Sequence, residues 1–318
     1  MRISVAKHDP RPEKLEHSFL NQLTGNGFYE IMNNSLSKGE NYQILQPEVS
    51  ESLIEMLNPL SQDLNVMRGT MLFGALEAIS FNQKRQQPSL RFFERGKTYG
   101  QGANGYFETS HIDLAISGHT GEHHWANSAV ANDFFELKGL LEATLIRFGL
   151  KASYITSMHS LYGEFVDIKV GKTTVGYIGN VHPKVLHHFD VKGSVAYSSL
   201  NWDTIVSMSL IKGTQLFTGL PKFPSVRRDL ALLVDHDTSY NDLQEVVSPT
   251  ERKLLKNVFL FDVYQGDRLP SAKDSYAIGI TVHDTEDKLN QYAIEKCIQR
   301  LLQSLTEPSR TDLCKIQI

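Results

Sequence analysis

Cysteine is nearly absent from this chain of 318 residues, which has only Cys297 and Cys314. That excludes a disulfide-stapled secreted scaffold, and both thiols are expected to be free in a reducing, cytoplasmic setting. No run of about 18 consecutive apolar residues occurs, so no membrane-spanning helix and no membrane partner are expected. The leading segment MRISVAKHDPRPEKLE lacks the apolar stretch of a secretory signal and reads as a start in mid-protein. Net charge is only −4. From Pro221 onward, thirteen Lys and Arg face fifteen Asp and Glu, a balance of −2, which leaves −2 for the first part. Neither part can wrap nucleic acid in a broad basic surface, so any RNA must be held at a local patch. A phosphate-binding loop, a dinucleotide fingerprint and a nucleophile elbow are all missing.

What is present is ordinary for a globular protein: 41% hydrophobic and 21% charged residues. The length predicts about two domains, large enough to need no metal staple. A first helix is expected over 12–25, with Pro at its start, Gly at its end and Leu15, Phe19, Leu20 and Leu23 as its apolar stripe. A strand at 28–35, a loop and short strand at 58–68 and a helix at 71–85 follow. Strands are expected at 90–99 and 111–117, where branched and aromatic residues alternate. Asn132 is placed to cap a long helix over 133–148, ended by Gly149. Strands at 152–158, 164–170, 175–181 and 194–200 bring this sheet to six or more. Residues 214–221 (TQLFTGLP) read as a linker between domains 1–213 and 222–318. Beyond it the order is strand 229–234, helix 240–247, strands 258–264 and 275–282, helix 291–304 and strand 312–317. This is the split βαβ pattern of a ferredoxin-like fold, so the class is α+β.

The motif FLFDVY places Asp262 and Tyr264 two residues apart, on one face of a strand, with Phe261 and Val263 expected toward the core. A carboxylate beside an aromatic on an open sheet suits single-stranded RNA. The ring stacks on a base and polar groups bond its Watson–Crick edge, where a carboxylate favours guanine over adenine. The pattern alone favours a surface Tyr and a turn-forming Asp over an RNA contact. Lys222, Pro224, Arg227 and Arg228 make a rigid cationic entry to the preceding strand. They suit phosphate positioning, or simply an ion pair with Asp229. His119, His123 and His124 in GHTGEHHW come near zinc spacing, but without Cys nearby they read as a polar hairpin tip.

The run KFPSVRRDLALLVD, followed by a helical interval and NVFLFDVYQGDRLPSAKDSY, resembles the ferredoxin-fold anticodon-binding domain that ends the beta chain of bacterial phenylalanyl-tRNA synthetase. The resemblance implies that Asp262, Tyr264 and Ser275 contact the first anticodon base, a guanine, and that Ala231 gives that base room. Upstream, NPLSQDLNVMRGTMLFGALEAISFN and LRFFERGKTY resemble the class II synthetase-like domain of the same chain. Class II enzymes hold ATP and amino acid with an Arg and a Glu near such a place, so Arg91 and Glu94 are weighed as a remnant, with Glu94 a structural residue. The Gly-rich strand-to-helix element ending in Arg is missing, and GYIGNVHPKV has His-Pro where Arg would meet phosphate. The resemblance therefore implies a silent, catalytic-like domain with no catalytic, cofactor-binding or metal-binding residues.

The same resemblance implies a C-terminal part of the beta chain. Its partners would be the alpha subunit, in a two-alpha, two-beta enzyme, and phenylalanine tRNA. ATP and Mg2+ would be used by the whole enzyme, and the region 58–82 would meet alpha. KLNQYA departs from the family's Arg-Thr-Leu entry to the last helix. Three other readings are a free-standing RNA-binding protein, a pure assembly scaffold derived from this subunit, and a single-chain synthetase of mitochondrial type. The missing Arg element opposes the last.

Overall fold

Two hydrophobic cores lie on opposite faces of one sheet in the first unit of the chain, and a third belongs to a separate second unit. The computed structural model describes residues 9–120, 125, 130–131, 134–212, 219, 222–251, 253–266, 269–270, 272–284, 290–306 and 311–313. Contacts divide the chain into Met1–Leu216 and Phe217–Ile318. Of the expected linker, only Gly219 is described. Asn132, His123, His124 and Cys314 also lie outside the described residues.

The first unit begins with α1 (Arg11–Gly25), which has Pro12 in its first turn and buries Phe19 and Leu23. Then come β1 (Tyr29–Glu30), β2 (Leu36–Ser37), α2 (Gly39–Leu45), α3 (Pro47–Ser50), a 3-10 turn (Gln62–Leu64), β3 (Val66–Met67) and α4 (Leu72–Gln83). The strand expected over 28–35 is only a two-residue parallel pairing of β1. The long hairpin β4 (Leu90–Gly102) and β5 (Gly105–Ser117) is followed by the short pair β6 (His119–Thr120) and β7 (Val130–Ala131). The unit closes with α5 (Phe134–Arg147), β8 (Ala152–Thr156), β9 (Tyr162–Val170), β10 (Thr173–Val181), α6 (Pro183–His188), β11 (Val195–Asn201) and α7 (Trp202–Lys212). Seven strands form one mixed sheet, β1-β4-β5-β11-β10-β9-β8, in which only the β1–β4 pair is parallel.

Alternation along β5 sets the two faces. Ile112, Leu114 and Ile116 meet α1, α5 and α7 on one side, where the rings of Phe19 and Trp202 stack with centroids 5.7 Å apart. Ala115 faces the other side with Phe92, Tyr197 and Phe165, under Leu72, Phe73, Leu76 and Ile79 of α4. His182 starts α6: its Nδ1 accepts from the backbone N–H of Lys184 at 3.1 Å, and Pro183 follows in the first turn. The His-Pro pair is therefore a helix cap.

The second unit runs β12 (Val226–Asp235), α8 (Tyr240–Thr250), β13 (Leu255–Tyr264), β14 (Lys273–Val282), α9 (Gln291–Thr306) and β15 (Thr311–Leu313). The antiparallel sheet order is β13-β14-β12-β15. β14 lies between β12 and β13, which is the split βαβ arrangement. Ser239 and Asp242 close a capping box on α8, and the Asn290 Oδ1 accepts from Ala293 N at 2.7 Å at the start of α9. Leu230, Leu232, Val234, Ile278, Ile280 and Val282 point from one sheet face to Leu243, Val247, Ile294, Cys297 and Leu301 of the helices. The other face carries no helix among the described residues. Cys297 is buried and free.

Candidate nucleic-acid interface

Register on the open face of the second sheet follows from the pairing of odd-numbered residues of β12 and β14. Ala231 lies opposite Ala277, and Leu233 opposite Ser275. On the other flank, Asp262 lies opposite Ala277 and Tyr264 opposite Ser275. Paired residues share a face, so Asp262, Tyr264, Ser275 and Ala231 lie together, with Ala277 central between Asp262 and Ala231. Ala277 was missed in the sequence. Its only signal is a small residue in the strand alternation SYAIGI.

A β-bulge makes this possible. Leu260 pairs with Ile278 and Asp262 with Ala277, which leaves Phe261 as the extra residue. Strict alternation from the core-facing Val258 and Leu260 would have turned Asp262 and Tyr264 toward the helices. The inserted residue resets the phase, as bulges do where a strand re-aims side chains. The expectation that Phe261 and Val263 fill the core is corrected, since both are exposed, at 48% and 44%. Phe261 sits with Phe259 on the open side, ring centroids 6.2 Å apart.

Tyr264 is 44% exposed, and its ring lies over the bare backbone of Gly266, where an added Cβ would stand 2.6 Å from the phenol oxygen. Asp262 is exposed and Ser275 half-buried, and neither side chain has a hydrogen-bond partner among the described residues. The face thus offers an acceptor, a hydroxyl and a ring edge around a floor of two alanines. That set can bond and stack one unpaired base.

The two arginines diverge. Arg227 lies on the open face, its Nε and Nη2 donating to Asp229 at 2.7 and 3.3 Å. Its guanidinium carbon lies 4.7 Å from the Phe259 ring centroid and 5.1 Å from that of Phe261. Arg228 is half-buried at the helix side and donates to the Arg227 carbonyl at 3.2 Å. Lys222 is exposed ahead of the strand. The three do not form one cluster.

In the first unit, Arg91 and Glu94 point to opposite faces of β4. Arg91 pairs with Glu136 of α5 and donates to the Asn26 carbonyl at 3.2 Å. Glu94 is buried on the other face, accepting from Arg68 Nη1 at 2.7 Å and Asn33 Nδ2 at 2.6 Å. They cannot hold one ligand. Beside Glu94, Asp113 accepts from the Tyr197 hydroxyl, and its second oxygen has no partner among the described residues. Tyr162, Tyr177 and Phe165 continue the packing. The gap left around Glu94, Asp113 and Tyr197 is about 10 Å³, room for one water at most.

Burial pushes the Asp113 carboxyl up to about 7, with Glu94 adding to the rise and the Ser199, Tyr197 and Arg68 contacts opposing it. Burial lowers His111, held between Thr98 and Ser199, to about 4. A raised acid keeps a proton that the unfolded chain has lost, so between about 4 and 7 Asp113 lowers stability as pH rises, by up to about 1.4 kcal/mol per unit. His111 acts oppositely between about 4 and 6.5, where only the unfolded chain is protonated. The two offset each other there. In Asp113→Asn the His111 contribution stands alone. The stability difference, variant minus parent, should rise by roughly 2–3 kcal/mol between pH 4.5 and 6.5 in urea titrations. Parallel profiles would contradict a neutral Asp113.

Among the described residues no three metal-capable side chains converge, and no helix is long and apolar enough to cross a membrane. Comparison with known proteins adds the following. Residues 2–202 match the phenylalanyl tRNA synthetase beta chain CLM domain, and residues 221–313 the ferredoxin-fold anticodon binding domain. The phenylalanine--tRNA ligase beta subunit of Bacteroides fragilis is 36% identical over 93% of this chain and 38% of its own length. Those of Porphyromonas gingivalis and Vibrio cholerae are 36% and 31% identical, over 90% and 89% of this chain and 36% of each relative. The chain thus spans less than two-fifths of these relatives. A solved pyrrolysyl-tRNA synthetase from Desulfitobacterium hafniense superposes with a TM-score of 0.51 at 16% identity, covering 66% of this chain and 73% of that one, and so shares the fold. With both halves matched, this chain belongs to the phenylalanine--tRNA ligase beta subunit family.

Proposed function

We propose that this chain works within a phenylalanine-tRNA ligase, where it reads the first anticodon base of phenylalanine tRNA and supports a catalytic alpha subunit. The observation that carries the reading is the bulge at Phe261, which gathers Asp262, Tyr264, Ser275 and Ala231 on one helix-free sheet face. A carboxylate there accepts from the imino and amino groups of guanine, Tyr264 supplies a stacking surface, and Ala231 with Ala277 keeps the floor low. Arg227 on the open face and the exposed Lys222 add a modest phosphate attraction that positions the strand without reading sequence, and Arg228, turned to the helix side, is left out of it.

The whole enzyme joins phenylalanine to its tRNA at the expense of ATP with Mg2+. This chain does no adenylation. Supporting that, the sheet face holding Glu94 and Asp113 is filled by tyrosines and covered by α4, and Arg91 is turned away. Contact with alpha runs through the region 58–82. There Leu60 is fully exposed, and Leu57 just before it is 97% exposed, an apolar display that a partner would cover. The enzyme has two alpha and two beta chains and works in the cytoplasm.

The test is to mix this chain with the alpha chain from the same genome and measure mass in solution. A stable mixed complex is expected, and Leu57→Asp with Leu60→Asp should weaken it at least tenfold. Two separate masses would contradict the support role.

A further inference from the structure

Phe261 is a large ring, half exposed on a sheet face that carries no helix, and nothing in the base pocket uses it. Its position is built. The bulge leaves it on the open side, while Asp262 and Tyr264 take up the face beyond it. Beside it lies Arg227, whose guanidinium also approaches Phe259. Asp229 holds that guanidinium through two hydrogen bonds. Phe259 in turn lies on Gly279, where a Cβ would meet its ring at 2.4 Å, so only glycine lets the ring lie flat on the sheet. The result is a cluster on the open face, with the guanidinium beside two rings whose centroids lie 6.2 Å apart at an interplanar angle of 50°, and with Phe261 48% exposed.

The cluster also sits where a neighbouring nucleotide would pass. Phe261 is three residues from Tyr264 along one strand, roughly 10 Å at about 3.4 Å per residue. Four-stranded sheets that bind single-stranded RNA stack two or three bases on their aromatics. Arg227, held by Asp229, also sets a guanidinium beside the ring.

We propose that Phe261, flanked by Arg227 and Phe259, is a second stacking platform that takes the nucleobase next to the one read at Asp262 and Tyr264, without selecting which base it is. The proposal deepens the anticodon reading above and rests on it. An aromatic face accepts every base, so this platform adds grip and holds the strand splayed.

The test uses the 318-residue chain and the anticodon stem-loop RNA of phenylalanine tRNA, with 2-aminopurine placed beside the first anticodon base. Binding to the parent should change the 2-aminopurine fluorescence through stacking. Phe261→Ala and Phe261→Leu should abolish that change and weaken binding about 5- to 100-fold, the same for every base at that position. Phe261→Trp should keep both. An abasic nucleotide there should make parent and Phe261→Leu bind alike. Unchanged fluorescence and affinity in Phe261→Leu, with Asp262→Ala still losing guanine preference, would overturn the platform and leave the base pocket standing. No binding by the parent, or no guanine preference to lose, would overturn both.

Discussion

Arg68→Ala should cost the first unit about 3–5 kcal/mol, because it removes one partner of a buried pair and leaves the other without its counter-ion. The side chains of Arg68 and Glu94 are 6% and 4% exposed, with 2.7 Å between Nη1 and Oε1. Arg68 also donates through Nε to the Lys97 carbonyl at 2.9 Å. The guanidinium lies against Gly96, where a Cβ would stand 2.2 Å from Nη2. This arginine is therefore a fitted strut joining the end of β3 to β4. In thermal unfolding the loss corresponds to roughly 6–20 °C for a unit of this size. The double variant Arg68→Met, Glu94→Leu should lose less than half as much, since no charge is left unpaired. Equal losses in single and double variants would show that the pair matters for packing alone.

Asp262→Ala should erase guanine preference at the first anticodon position by about 10- to 100-fold and leave the adenine-containing RNA bound nearly as before. A carboxylate accepts two hydrogen bonds from guanine, and hydrogen bonds to charged groups contribute about 1.5–3 kcal/mol. Adenine offers one amino donor and an acceptor that repels the carboxylate. The exposed Asp262 costs little to remove, so fold stability should change by no more than about 0.5 kcal/mol. Titration of stem-loop RNAs differing only at that base reads the ratio directly. The same guanine-to-adenine ratio in parent and variant would assign selectivity elsewhere.

Much of the fold was legible because its elements carry strong local signals. α1 has Pro12 and Gly25 at its ends and a clean apolar stripe, and the split βαβ order follows from the second-half alternation. α7 was missed because WDTIVSMSLIK shows little contrast between faces. It forms because Trp202 and Ile205 bury against α1, which is a tertiary effect. The strand expected at 28–35 shrinks to two residues of β1, because only that much pairs with β4, and β2 forms only by pairing with β3. In the site, the spacing of Asp262 and Tyr264 was readable. The bulge was not, because Phe259, Leu260, Phe261 and Val263 put apolar residues on both phases of the strand and a one-residue phase shift leaves no mark in composition. Phe261 was therefore assigned to the wrong face, and Ala277 was overlooked because a small floor residue has no chemical signature.

Charging of phenylalanine tRNA separates base reading on this sheet from the chemistry of the alpha subunit. A full-length beta chain carrying Asp262→Ala and Tyr264→Ala is assembled with alpha, and two rates are measured on one preparation. Adenylate formation, followed by ATP–pyrophosphate exchange, should match the parent. Transfer of phenylalanine to its tRNA should fall at least tenfold in kcat/KM, most of it in KM, since one stacked and bonded base is worth about 1–3 kcal/mol. Charging equal to the parent would contradict base reading on this sheet.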